Sequence, residues 1–243
     1  MADRGKAGEA VSEGRAHQRG EVTIDTLLAA VEAKRVGDHP WFRQGLREGE
    51  ASAAKVKRVV RQLVFYFDNV IELYGPMYLN SQDYRIRRLF TDKMLAPIAL
   101  PDGRSLRQGE GAHAELAAHL ARALGAAVRS VRSVKPTALM EQRMKRLIGT
   151  LERPPYWVTL GASAAVESQM AALHRQTAAA LKRHYGVAHK DLALFRAPLL
   201  FAESDIRHTL GRCDGILDRL KVAYYTERLR DEWYAVWDAA FAA

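Results

Sequence analysis

From Val22 onward, apolar residues recur at three- and four-residue spacing, as in Leu27, Leu28 and Val31, and then Val56, Val59, Val60, Leu63, Val64, Phe67 and Ile71. That period is the stripe of an amphipathic helix, and it predicts an all-α fold. Long alternating stretches of the kind that build strands are absent. Pro and Gly interrupt the pattern at Gly37 to Pro40, Gly75-Pro76, Pro97 to Gly103, Pro136, Pro154-Pro155 and Gly186. The intervals between these breaks predict helices over 22–36, 52–74, 81–95, 110–125, 137–150, 156–184, 189–201, 203–222 and 224–241. No fixed-period repeat is present, which argues against a solenoid. Tyr225, Leu229, Trp233 and Trp237 form one stripe on the last segment, and core packing is its expected use.

Composition narrows the picture. With 243 residues, 48% of them hydrophobic and 27% charged, the chain can bury a sizeable core. The expected organisation is a polar tail over residues 1–20 and one helical domain over 21–243. Residues 1–20 lack the apolar run of a signal peptide, and charged residues interrupt every stretch that could cross a membrane. A soluble, cytoplasmic protein without a membrane partner is expected. The single cysteine, Cys213, excludes an internal disulfide framework and suits a reducing compartment.

Lys and Arg number 37 against 28 acidic residues, a formal net charge of +9. The basic residues are spread over helical segments, as at Lys55, Lys57, Arg58 and Arg61, so solvated helix faces account for them. No segment clusters Arg, Lys and Asn as a groove-reading helix does. Nucleic acid is therefore the least favoured partner.

Three segments carry metal-ligand residue types at workable spacing: Glu110-x-x-His113, the isolated Glu167, and Asp205-x-x-His208. Residues three apart share a helix face, so two such helices and a third carboxylate can converge inside a bundle. Carboxylates and imidazoles without thiolate favour non-heme iron or manganese. Each segment also has a structural use. Glu110, between Gly109 and Gly111, suits a helix start, where an acidic side chain is favoured by the dipole. His113 begins an apolar run and would serve as a hydrogen-bonded core histidine. Asp205 and His208 could pair with Arg207 or Arg212. Glu167 is more informative, because small apolar residues from Leu160 to Ala172 surround it, and a carboxylate there is costly unless it is paired or bound.

The order of several motifs resembles one known family. His39-Pro40-Trp41-Phe42 followed by Gly45-Leu46-Arg47-Glu48-Gly49 is similar to the opening of heme-oxygenase-like proteins, a group that includes TenA thiaminases, pyrroloquinoline quinone synthase and the diiron oxidases. Gln62 to Tyr74 looks like their aromatic second helix. His113-Ala114-Glu115-Leu116 with Ala123-Leu124-Gly125, then Glu167, then His184-Tyr185-Gly186, Asp191 to Arg196 and Asp205-Ile206-Arg207-His208 follow in the family's order. The resemblance spans residues 22 to 222 and implies a single heme-oxygenase-like helical bundle.

Carried over by position, it implies His113, Glu167, Asp205 and His208 as ligands of one or two non-heme iron ions, with Glu110 as a fifth. The activity implied is an oxidoreductase: O₂-dependent oxidation of a small amine, amino acid or related metabolite. Two positions depart from the pattern. Phe201 stands where the family has a histidine, and the early glutamate falls near Ala96-Pro97. If Phe201 faces the same interior as Asp205, one turn away, it puts an apolar ring in a ligand's place. Thiaminase chemistry lacks its cysteine, since Cys213 lies beyond the Asp205/His208 segment. A metal-independent oxidase of the quinone-synthase type, or a member that only binds a small molecule or a protein, is the alternative. A homodimer stays open.

Overall fold

The computed structural model describes residues 21–95, 113–129, 133–196, 199 and 201–242. Among the described residues there is no strand, and the all-α expectation holds. The helices are α1 (Ile24–Glu32), α2 (Ala53–Asp68), α3 (Val70–Asn80), α4 (Tyr84–Leu95), α5 (His113–Ala123), α6 (Ala138–Glu152), α7 (Tyr156–Glu167), α8 (Met170–Tyr185), α9 (Glu203–Gly211) and α10 (Ile216–Ala242). A π-helical turn covers Trp41–Arg47, and 3-10 turns cover Val36–Asp38 and His189–Arg196. None of the described helices is long and apolar enough to cross a membrane.

Helix boundaries follow side-chain chemistry that periodicity does not reveal. The expected helix over 52–74 is two, because Asn69 Nδ2 donates to the Phe65 carbonyl at 2.8 Å and ends α2. Such local side-chain bonds compete with the helical ladder. α3 then runs through Gly75-Pro76, where a break was expected. The expected helix over 156–184 also divides. Ser168 Oγ donates to Ala165 O at 2.7 Å, while Gln169 donates to Val166 O and accepts the Val36 N–H at 2.9 Å. These two polar residues separate α7 from α8 and tie the junction to the N-terminal loop. Residues 189–196 form a 3-10 turn in place of an α-helix. The break expected near residue 223 lies earlier, at 212–215, so α10 is a single helix of 27 residues.

α7 is the central element. All of its residues except Trp157 are buried, so its small side chains face neighbours all round. α10 packs against α6 and α7, α7 against α9, and α2 against α5. The buried apolar residues form two groups. One joins α1, α3, α4, α6, α7 and α9 to α10; the other joins α2, α5, α8 and the short turns to the end of α10. Phe67 and Trp233 touch both groups, and the space between the groups is where a cavity opens.

Candidate functional site

The cavity has a volume of about 90 Å³. Its wall is mostly aromatic and aliphatic: Phe42, Tyr66, Phe67, Phe195, Trp233 and Trp237, with leucines, Met170 and Val236 between them. A few polar side chains interrupt that wall: Tyr74, His113, Glu167, His174 and Thr177. Small-molecule sites have this composition, an apolar wall with a small number of placed polar groups.

Glu167 is the last residue of α7 and is 7% exposed. The C-terminal end of a helix carries partial negative charge, so α7 does nothing to stabilise a carboxylate there. Hydrogen-bond donors from elsewhere do. The Tyr74 hydroxyl donates to Oε1 at 3.3 Å, and the Phe201 backbone N–H donates to Oε2 at 3.2 Å. Burial, and then the Glu167 charge, hold the Tyr66 and Tyr74 hydroxyls well above the ordinary tyrosine range, so both stay protonated. Glu167 thus has a hydroxyl donor that does not ionise at any ordinary pH.

A second polar region comes from α5 and α8. His113 is 9% exposed and half-buried His174 lines the same cavity. Burial, followed by the nearby His174, pushes the His113 imidazole down to about 4, and burial lowers His174 as well. Both are neutral at pH 7. Phe67 packs edge-on to His113 at 5.4 Å and Phe195 to His174 at 5.8 Å. The Glu167 carboxylate and the two imidazoles line one cavity.

The expected ligand residues are distributed unevenly. His113 and Glu167 both line the cavity. Asp205 is buried, but its Oδ2 accepts the Ala202 N–H at 2.9 Å and closes the N-terminus of α9. His208, three residues on, is exposed and takes no part in the wall. Glu110 lies outside the described residues. No three His, Cys, Asp or Glu side chains converge closely enough to hold a metal ion among the described residues. The donors among the described residues do not meet at one point, where an open iron site needs at least three. His174 was not among the sequence candidates. Its signal is faint: a histidine one residue after Leu173 on a stripe that also holds Met170 and Thr177.

Phe201 is buried, 4% exposed, with its ring edge-on to Tyr74 at 5.1 Å. It precedes α9, and Ala202 after it is extended, so Phe201 does not continue the helical face of Asp205 and His208. Phe201 therefore does not stand one helical turn before Asp205 on a shared face. Cys213 is half-buried with its thiol pushed up by burial, and it lies away from the cavity. No family model matches the chain, and no curated protein matches it.

Proposed function

We propose that the chain is a small-molecule-binding bundle of heme-oxygenase-like architecture that takes an apolar amine into this cavity, with the ammonium at Glu167. The observation that carries this reading is a buried carboxylate in a mostly aromatic and aliphatic wall. An ammonium is the ligand group that best complements it, since a charge-assisted hydrogen bond in a low-dielectric setting is stronger than one in water. The apolar body would displace water from Trp233, Trp237 and Phe42. Tyr74 holds the carboxylate in place by donating to its other side.

The test is titration of octylamine, followed by tryptophan fluorescence and calorimetry, into the wild type and Glu167→Gln. The expected result is at least about tenfold weaker binding by the variant, the loss of one charge-assisted bond. Equal affinities in two equally helical proteins would sink the assignment.

Iron-dependent oxidation of the same amine is the second reading, favoured by one observation: His113 and Glu167, both implied ligands, line one cavity from different helices. It requires Asp205 to leave its cap and His208 to turn inward. Anaerobic Fe(II) loading with elemental analysis and O₂ consumption tests it. About one retained iron per chain together with amine-dependent O₂ uptake would support it, and no retained iron would reject it.

A further inference from the structure

We infer that the Trp237 indole N–H is the cavity's recognition point for a neutral oxygen acceptor, so that the ligand carries a carbonyl on its apolar body. This rests on the reading of the cavity as a small-molecule site and is independent of the group that meets Glu167.

Trp237 lies on α10, one turn beyond Trp233, and both side chains line the cavity. Its Nε1 is closed off from solvent and hydrogen-bonds to nothing in the protein. Among the described residues no other side-chain atom of the cavity wall is in that condition, and the indole nitrogens of Trp41, Trp157 and Trp233 are not. A buried indole N–H ordinarily finds an acceptor, because an unpaired donor forfeits the hydrogen bonds it makes to water. The protein supplies no acceptor here, and solvent does not reach the nitrogen. A molecule in the cavity that Trp237 lines is the remaining source of one. The donor is also held in place: Phe42 packs edge-on to the indole at 4.5 Å, and Val236, Ala239 and Ala240 bury the helix on either side of it.

Chemistry selects the acceptor. No Lys or Arg lines the cavity among the described residues, whereas Glu167 does. An anionic acceptor would be buried without a counter-charge and in the company of an acidic side chain, which costs more than one hydrogen bond returns. A carbonyl oxygen accepts the N–H and brings neither a charge nor a donor that needs its own partner. Phe42, Leu173, Trp233 and Val236 suit the carbon body.

The experiment pairs methyl butyl ketone with the alkene of the same outline, in which a methylene replaces the carbonyl oxygen. Each is titrated into the isotope-labelled full chain while the indole N–H signals are followed by NMR. The Trp237 signal is identified by its loss in Trp237→Phe, a variant that keeps an aromatic ring against Phe42 and removes the donor. In the wild type the ketone should move the Trp237 indole proton downfield, and the alkene should not. In Trp237→Phe the ketone-to-alkene affinity ratio should fall about three- to tenfold, the value of one neutral hydrogen bond, with alkene affinity and helicity as controls on the fold. If that variant does not fold, the wild-type signal, assigned through its contacts to Phe42, decides alone. A ketone that binds without moving this signal beyond what the alkene does overturns the assignment, because the N–H would then be spent on the face of Phe42. An unchanged ratio in the variant overturns it as well. Octylamine is titrated alongside. Should octylamine bind and the ketone not, the carbonyl assignment fails while the cavity stands as a small-molecule site. If none of the three binds, the cavity reading fails and takes this inference with it.

Discussion

His39 and Asp238 meet across 199 residues of sequence, with Nε2 2.9 Å from Oδ1. On the other side of the ring, Nδ1 accepts the Trp41 N–H at 3.0 Å, which fixes the tautomer: the proton is on Nε2, and it is donated to Asp238. Burial keeps the imidazole neutral against the pull of the carboxylate. This completely buried ring starts the π-helical turn that carries Phe42 into the cavity wall and fastens that turn to α10. His39→Ala removes a packed ring and leaves the Trp41 N–H without an acceptor. It should destabilise the fold by about 2–4 kcal/mol in urea unfolding. Asp238→Asn keeps an acceptor at an exposed position and should cost less than about 1 kcal/mol.

Acid should weaken the fold through His113. Its ordinary value is 6.5 and the folded value is about 4. Between these two values the unfolded chain binds a proton that the folded chain does not, so stability falls as pH drops from about 6.5 and levels off below about 4. The ceiling on this contribution is roughly 3 kcal/mol. His174 and His39 are lowered as well and act in the same direction. Unfolding midpoints measured across that window should fall more steeply for the wild type than for His113→Phe. Parallel profiles would show that the imidazole is already protonated in the native state.

The contact of α7 with α9 depends on Gly161. A Cβ at this position would lie 2.6–2.7 Å from the side chain of Thr209. Thr209 cannot swing aside freely, because it is fully buried and its hydroxyl donates to the Trp157 carbonyl at 2.7 Å. Gly161→Ala should therefore separate the helices at a cost of about 1–3 kcal/mol despite its higher helix propensity. The double variant Gly161→Ala/Thr209→Ser should recover part of that loss, and a double-mutant cycle with no coupling would refute the contact.

Helical periodicity made the fold class and most helix positions legible, since Val56 to Phe67 and Leu229 to Trp237 carry their burial pattern on their face. The junctions at Asn69 and at Ser168-Gln169 were not legible. Each depends on a polar side chain choosing a backbone carbonyl over solvent, and a hydrophobic stripe continues past both. In the site, Glu167 stood out because a carboxylate among Gly161, Ala162, Ala164 and Ala165 has few harmless explanations. His208 lies off the cavity wall for a geometric reason. Three residues correspond to about 300° of rotation, so Asp205 and His208 lie about 60° apart, and the edge of the buried face passes between them. His174 carried no signal beyond its stripe, because what gives it meaning is His113, 61 positions earlier.

Phe201→His tests whether that missing imidazole is what keeps iron out. Asp205 and His208 sit on α9, whereas Phe201 lies before the helix begins, so a histidine there does not complete a ligand face with them. It would instead place a polar ring against Tyr74 and beside the backbone bond to Glu167. The expected outcome is a loss of about 1–3 kcal/mol from burying a polar group where an aromatic ring packed. Iron content after anaerobic loading should be no higher than in the wild type. Phe201→Leu separates the two effects, since it gives up the ring packing without adding a nitrogen, and it should be destabilised less than Phe201→His. A gain of about one iron per chain in Phe201→His alone would show that the start of α9 rearranges to release Asp205 from the Ala202 N–H. The iron reading would then displace the metal-free one.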